Sequence, residues 1–186
     1  MTPPRILPWP RIVLRLVARW IDLLVVGLPF VLALMFAAGF SAPTLGALGM
    51  AMPMPVWQVL WLFLLICLSP IPEAGLLSTW GTTPGKALAG LAVRDGSGAK
   101  LSFETALCRS YRVAYHGLGL GLPVVAYVTQ IVACHQLRRV GVAKWDAALG
   151  TDVRGEPPTP LRWAGLGAIA TAIIAISLLT RRYMLV

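Results

Sequence analysis

Two long apolar stretches constrain this chain more than any other feature of its sequence. One runs from about Trp20 to Phe40 and the other from about Val56 to Leu77, and a helix of about 20 apolar residues crosses a bilayer. Only 12% of the residues are charged and 58% are hydrophobic, whereas a soluble domain typically carries about 25% charged residues. The sequence therefore predicts an all-α integral membrane protein.

Two further apolar stretches decide how many times the chain crosses the membrane. Trp163 to Thr180 predicts a transmembrane helix near the C-terminus. Val113 to Leu137 is interrupted by glycines and by Pro123, so it is compatible with either one irregular span or a re-entrant hairpin. The predicted fold is a small bundle of three to four transmembrane helices.

The basic residues flank the apolar stretches and predict the orientation of the chain. Four arginines and no acidic residue precede the first span, and the loop from Ser41 to Pro55 is uncharged. By the positive-inside rule the N-terminus lies in the cytoplasm. A hairpin at 113–137 would leave 14 of the 16 basic residues inside and 2 outside, against 11 and 5 for a single crossing, so charge counting favours the hairpin.

The net charge of +9 also bears on the partners of the protein. The basic residues do not form a stripe with interleaved aromatic residues, which nucleic-acid binding would favour. We expect instead attraction to the anionic headgroups of the lipid bilayer.

The second apolar stretch contains two prolines, Pro70 and Pro72, with Glu73 directly behind them. A proline inside a helix offers no N–H and crowds the preceding turn. We therefore expect a kink near the end of this span.

Short sequence signals predict two local elements in the segment that follows. Leu91 to Gly98 has the pattern of a short strand entering a turn. Ser102 to Thr105 is a capping sequence that opens an amphipathic helix. We expect this helix to lie in the membrane interface, with Ala106 facing lipid while Arg109 and Arg112 extend to the headgroups.

Arg19, Asp22 and Glu73 are ionisable residues at or near the ends of the apolar stretches. A charged residue costs roughly 2.5–3.5 kcal/mol at the centre of a membrane helix, so such residues tend to be paired or functional. The alternative is that Asp22 only neutralises Arg19 three positions earlier and fixes the depth of the helix. Their positions alone leave both interpretations open.

The segment from Gly81 to Lys86 invites comparison with a phosphate-binding loop. Gly81, Thr83, Pro84, Gly85 and Lys86 form its recognisable pattern. The glycines are one residue too close, and an alanine follows the lysine where the loop needs Ser or Thr. The sequence therefore predicts a turn that starts an interfacial helix, with Lys86 at the headgroups, and no nucleotide binding.

The remaining reactive residues form no recognisable site. Cys67, Cys108 and Cys134 are far apart, and His116 and His135 lie in or beside apolar segments. No zinc spacing and no hydrolase signature occurs. The sequence predicts neither an enzyme nor a metal or cofactor site.

Four blocks of the sequence, in this order, resemble the RDD family of bacterial membrane proteins. They are Val17–Asp22, Gly81–Val93, Ser102–Arg109 and Trp145–Val153. The family is named for one arginine and two aspartates, and the resemblance assigns these to Arg19, Asp22 and Asp146. It also implies that the protein lies in the bacterial inner membrane.

The resemblance divides the chain into three parts. A basic cytoplasmic segment covers residues 1–19, an RDD-like membrane domain covers 11–153, and a linker with an additional transmembrane helix covers 154–186. Within the domain we expect Arg19 to lie between the carboxylates of Asp22 and Asp146, as one charge cluster at the cytoplasmic boundary.

The function that the resemblance implies is a transport-related role, with cation/proton exchange suggested for some relatives. Asp22, Glu73 and Asp146 would then line the ion pathway. Three or four spans are few for an alternating-access carrier, so the protein would act as a homo-oligomer or with other membrane subunits. The alternative is a non-catalytic accessory or assembly subunit of a larger membrane complex.

Overall fold

A computed structural model of the protein describes residues 9–155, 159–160, 163–165 and 171. In this part of the chain the helices are α1 (Trp9–Asp22), α2 (Leu28–Ala37), α3 (Ala42–Ala51), α4 (Met54–Leu68), α5 (Pro70–Thr79), α6 (Pro84–Leu88), α7 (Phe103–Leu118), α8 (Pro123–Val140) and α9 (Lys144–Leu149). The strands are β1 (Leu91–Asp95) and β2 (Thr151–Gly155). The predicted C-terminal span, Trp163 to Thr180, lies largely outside the described residues.

The first predicted span belongs to a longer helix. α1, a π-helical turn at Leu23–Gly27 and α2 together form one helix, Trp9–Ala37, of 29 residues. Its described part includes the eleven residues before the predicted start at Trp20, because the arginines and apolar residues there share helical spacing and bury Ile12 and Leu14. The π-helical turn directly follows Asp22, a position where such turns often mark functional sites.

The second span is interrupted at the prolines where the sequence predicts a kink. Met54–Thr79 is apolar and 26 residues long, but α4 ends at Leu68 and α5 begins at Pro70. Pro70 cannot continue the hydrogen-bond ladder of α4, although it is well suited to the first position of a new helix. The uncharged segment before this span, expected to be a loop, contains α3.

α7 and α8 form a helical hairpin, so the apolar stretch 113–137 is divided between two helices. Ser102 caps α7, since its Oγ accepts a hydrogen bond from the backbone N–H of Thr105 at 3.2 Å. The turn Gly119–Gly121 has positive φ angles at both glycines, which adopt them without strain, and also at Leu120 between them. A Cβ on Gly121 would lie 3.1 Å from the backbone of Leu62 in α4, so the tip of the hairpin packs against the middle of that helix.

The expected orientation of α7 is wrong in two respects. Ala106 is fully buried and Arg109 is only 4% exposed, although we expected the first to face lipid and the second to reach the headgroups. The physical reason is that α7 packs along α5 and the Arg109 side chain has a buried acidic partner in α9.

The two strands pair as an antiparallel ribbon, with Val93 opposite Val153. β1 coincides with the predicted strand, whereas β2 was not predicted, so the all-α class describes most of the chain but omits this ribbon. Leu91 of β1 packs against Leu14, Ala18 and Ile21 of α1. The ribbon thereby holds α6 and α9, which flank it in sequence, close to α1.

Candidate functional site

Six charged side chains from five helices are buried in the helical bundle. Each is at most 9% exposed, and they are Arg19, Asp22, Glu73, Lys86, Arg109 and Asp146. We call this set the charge network. Burial of a charge costs several kcal/mol unless the charge is paired and hydrogen-bonded, so the partners of these groups decide what the network can do.

Lys86 lies at the centre of the largest group of contacts. Its Nζ donates to Oε1 of Glu73 at 2.8 Å, to Oδ2 of Asp22 at 3.1 Å and to Oγ1 of Thr83 at 3.1 Å. An ammonium group has three N–H donors. All three therefore have an oxygen partner in this arrangement.

The loop before α6 binds the carboxylate of Asp22. The backbone N–H of Gly85 donates to Oδ1 at 2.7 Å, and the Thr83 hydroxyl donates to Oδ2 at 2.6 Å. A Cβ on Gly85 would collide with the carbonyl oxygen of Ala18, so only glycine allows α6 to approach α1 this closely. The segment that resembles a phosphate-binding loop holds a carboxylate of the protein itself.

Arg19 forms an ion pair with the second acid of the network. Its Nη1 donates to Oε2 of Glu73, whose other oxygen accepts from Lys86. Glu73 therefore joins Arg19 of α1 to Lys86 of α6, and α5 supplies the carboxylate between them.

Arg109 and Asp146 form a separate pair that joins α7 to α9. The Arg109 Nε lies 2.7 Å from Oδ1 of Asp146, and the same oxygen accepts from the Thr151 hydroxyl at 2.9 Å. The side chains of the pair are 5% and 3% exposed. Asp146 is thus fixed both by a helix and by the first residue of β2.

These contacts correct the pairing that the sequence suggested. Arg19 does not bridge Asp22 and Asp146, and within the described residues it does not bond Asp22 three positions later. The reason is that α6 and α7 each bring a buried base, Lys86 and Arg109, to one of the aspartates. Both bases were expected at the lipid headgroups. The one sequence signal that associates them with the acids is that all four residues lie in the blocks that resemble the RDD family.

A cavity of about 120 Å³ adjoins the network. Arg19, Glu73, Lys86, Arg109 and Asp146 contribute to its wall, together with a further basic residue of α1. Apolar side chains line much of the remainder. The network is therefore next to a space large enough for several water molecules or a small solute.

The described residues include no group of three or more His, Cys, Asp or Glu side chains that could hold a metal ion. Each acid in the charge network is bonded instead to a basic side chain. The acids of the charge network are therefore held by charge pairing.

Two helices in the described part of the chain are long and apolar enough to cross a membrane. The buried ion pairs of the charge network join these helices and the shorter helices that pack against them. These features define the class as a small helical membrane protein. Residues 9–150 match the RDD family, and the chain belongs to that family. No curated protein and no solved structure matches the chain.

Proposed function

We propose that this is a multi-pass protein of the bacterial cytoplasmic membrane, with its N-terminus in the cytoplasm and a transport-related role in cation/proton exchange. The observation that carries the proposal is the oxygen environment of the Lys86 ammonium group. Two carboxylates, from Asp22 and Glu73, and one hydroxyl, from Thr83, lie within 3.1 Å of Nζ. Oxygen ligands of this kind suit hard cations.

The charges of this group set the stoichiometry of exchange. Asp22 and Glu73 carry two negative charges, and Arg19 and Lys86 carry two positive charges, so the group is neutral. Release of one proton from this group leaves one negative charge in a buried site. A single monovalent cation restores neutrality, so one cation would enter for each proton released.

The geometry also supports a topology in which the hairpin re-enters the membrane. The C-terminal end of α8 leads directly to α9, and α9 contacts Arg109 in the first half of α7. The two ends of the hairpin are therefore on the same side of the bundle, while its tip reaches Leu62 in α4. This arrangement, together with the basic residues at both ends, favours a cytoplasmic location for α9.

Two membrane-length helices and a hairpin are a small scaffold for alternating access. We therefore propose that transport takes place in a homo-oligomer or together with other membrane subunits. Side chains that face outward from α8, such as Val124, Tyr127 and Ile131, are 66–77% exposed and provide an apolar face for lipid or for such a partner.

The second candidate is a non-catalytic accessory or assembly subunit. The observation in its favour is that every acid of the charge network already has a basic partner. Paired buried charges can serve to specify one arrangement of helices. In that case the network would hold the fold together without moving ions.

Reconstitution of the purified protein into liposomes separates the two candidates. With an imposed pH gradient and a pH-sensitive dye inside, addition of Na⁺, K⁺ or Li⁺ should dissipate the gradient. Glu73→Gln should abolish this flux, because it removes one ligand charge, while Glu104→Gln at an exposed position of α7 should retain it.

Lys86→Ala provides the second arm, with Lys144→Ala at an exposed position as its matched control. The Lys86 variant lacks one positive charge of the group, so it should bind a cation without releasing a proton, and added cation should no longer dissipate the pH gradient. Absence of cation-driven proton movement by the wild type, combined with co-purification of other membrane subunits, would favour the accessory role.

A further inference from the structure

The cavity beside the charge network has an excess of positive charge. Its basic lining residues are Arg15, Arg19, Lys86 and Arg109, and its acidic lining residues are Glu73 and Asp146. Asp22, which pairs with the lining residue Lys86, adds a third acid. Four positive charges against three negative charges leave one positive charge without a counterion.

Arg15 is the residue that carries this excess. Its Nη2 donates to the carbonyl oxygen of Val153 at 3.1 Å, and in residues 9–155 it forms no ion pair. Its Nε is buried and has no hydrogen-bond partner among the described residues. A guanidinium group stays charged in proteins, so neutralisation requires an anion.

Arg19 points to the same conclusion independently. The residue is 8% exposed, and only its Nη1 is bonded, to Glu73. Its Nε and Nη2 are buried without a partner in the described part of the chain. Buried donors without an acceptor are rare and costly. Two arginines that line the same cavity together have three such nitrogens, which indicates that an acceptor is missing from the cavity.

We propose that this cavity binds a phosphate group, held by the guanidinium groups of Arg15 and Arg19. Guanidinium forks match the oxygen geometry of phosphate and form strong charge-assisted hydrogen bonds with it. Water could fill the space, but water would not neutralise the unpaired charge. A cavity of about 120 Å³ accommodates either inorganic phosphate or the phosphate of an anionic lipid headgroup. This inference does not depend on cation exchange.

Arg15→Gln tests the proposal with the least damage to the fold. The glutamine amide can still donate to Val153, and no carboxylate loses its partner. Arg139→Gln, at an exposed position of α8, is the matched control. The full chain is purified in detergent, and binding of inorganic phosphate is measured by calorimetry. In a second arm, binding of phosphatidylglycerol against phosphatidylcholine is measured by native mass spectrometry.

We expect one phosphate group per chain, with binding weakened about tenfold or more in Arg15→Gln through loss of charge-assisted bonds and unchanged in Arg139→Gln. Binding of inorganic phosphate identifies a free solute as the source, and Arg15-dependent binding of phosphatidylglycerol alone identifies a lipid. Either result supports the site. Binding of neither ligand, or equal binding by wild type and Arg15→Gln, overturns it.

If the Arg15→Gln variant does not accumulate, a measurement on the wild-type protein alone tests the proposal. A ligand that binds only the folded state raises the melting temperature with its concentration. Phosphate or phosphatidylglycerol should therefore raise Tm of the wild-type protein, and no rise with either compound contradicts the proposal.

Discussion

The Nε atom of Arg109 lies 2.7 Å from Oδ1 of Asp146, and the two residues are 37 positions apart in the sequence. This pair joins the first half of α7 to α9, and so closes the α7–α8 hairpin at its open end. Thr151 bonds the same carboxylate oxygen at 2.9 Å, which connects the pair to the β-ribbon.

Removal of either member of this pair should strongly destabilise the protein. Asp146→Asn and Arg109→Gln should each lower the free energy of unfolding by about 3–5 kcal/mol, because the remaining charge stays buried without its partner. The double variant should lose no more than either single variant. Denaturant unfolding in detergent, followed by tryptophan fluorescence, measures all three.

The exposed pair of Arg154 and Asp152 is the control for that cycle. Its atoms are 3.3 Å apart, but the side chains are 56% and 58% exposed. Asp152→Asn and Arg154→Gln should each change the free energy of unfolding by about 1 kcal/mol or less. Strictly additive losses at Arg109 and Asp146 would contradict the buried ion pair.

Gly85→Ala should displace α6 from α1. The new methyl group would collide with the carbonyl oxygen of Ala18, and it would lie 2.9 Å from Oδ1 of Asp22. A backbone shift that relieves this contact breaks the hydrogen bond from Gly85 to Asp22, at a cost of roughly 1–3 kcal/mol. The melting temperature in detergent reports the loss.

The matched control for this substitution is Gly46→Ala in α3. Beyond its own helix backbone and chain neighbours, no atom of the described residues lies within 4 Å of the position where the new Cβ would be. Alanine is the better residue inside a helix, by roughly 0.5–1 kcal/mol, so this variant should be neutral or slightly more stable. Equal melting temperatures for Gly85→Ala and Gly46→Ala would argue against the close approach of α6.

Single cysteines test the proposed topology. Placed at Thr44, Ser97 and Thr159 in a background without the three native cysteines, only the one at Thr44 should react with an impermeant thiol reagent in intact cells. The reason is that the basic segments around the other two positions are expected in the cytoplasm. Labelling at Thr159 would contradict the re-entrant hairpin and leave the first two spans unaffected.

The segment from Gly81 to Lys86 should not bind ATP. The Gly85 N–H and the Thr83 hydroxyl, which a nucleotide phosphate would require, already donate to Asp22. Equilibrium dialysis of the purified protein with labelled ATP should therefore detect no binding at this loop. Affinity that disappears in Lys86→Ala but persists in Lys144→Ala would contradict this prediction.

Local sequence patterns predicted the structural features that depend on residues close together in the sequence. The break at Pro70 follows from the missing N–H of proline, the start of α7 follows from the Ser102 cap, and β1 follows from its composition. β2 could not be predicted in this way, because Thr151–Gly155 becomes a strand only through its pairing with β1.

The sequence by itself determined that this is a helical membrane protein of the RDD family with costly charges near its apolar segments. Only the tertiary structure decided which base meets which acid. Arg19 reaches Glu73 across 54 positions, and Lys86 reaches Asp22 across 64. In the sequence alone, any basic side chain is an equally good candidate partner for a given acid. An ion pair forms only where helix packing brings the two charges within hydrogen-bond distance. Here the absence of a side chain on Gly85 permits that approach.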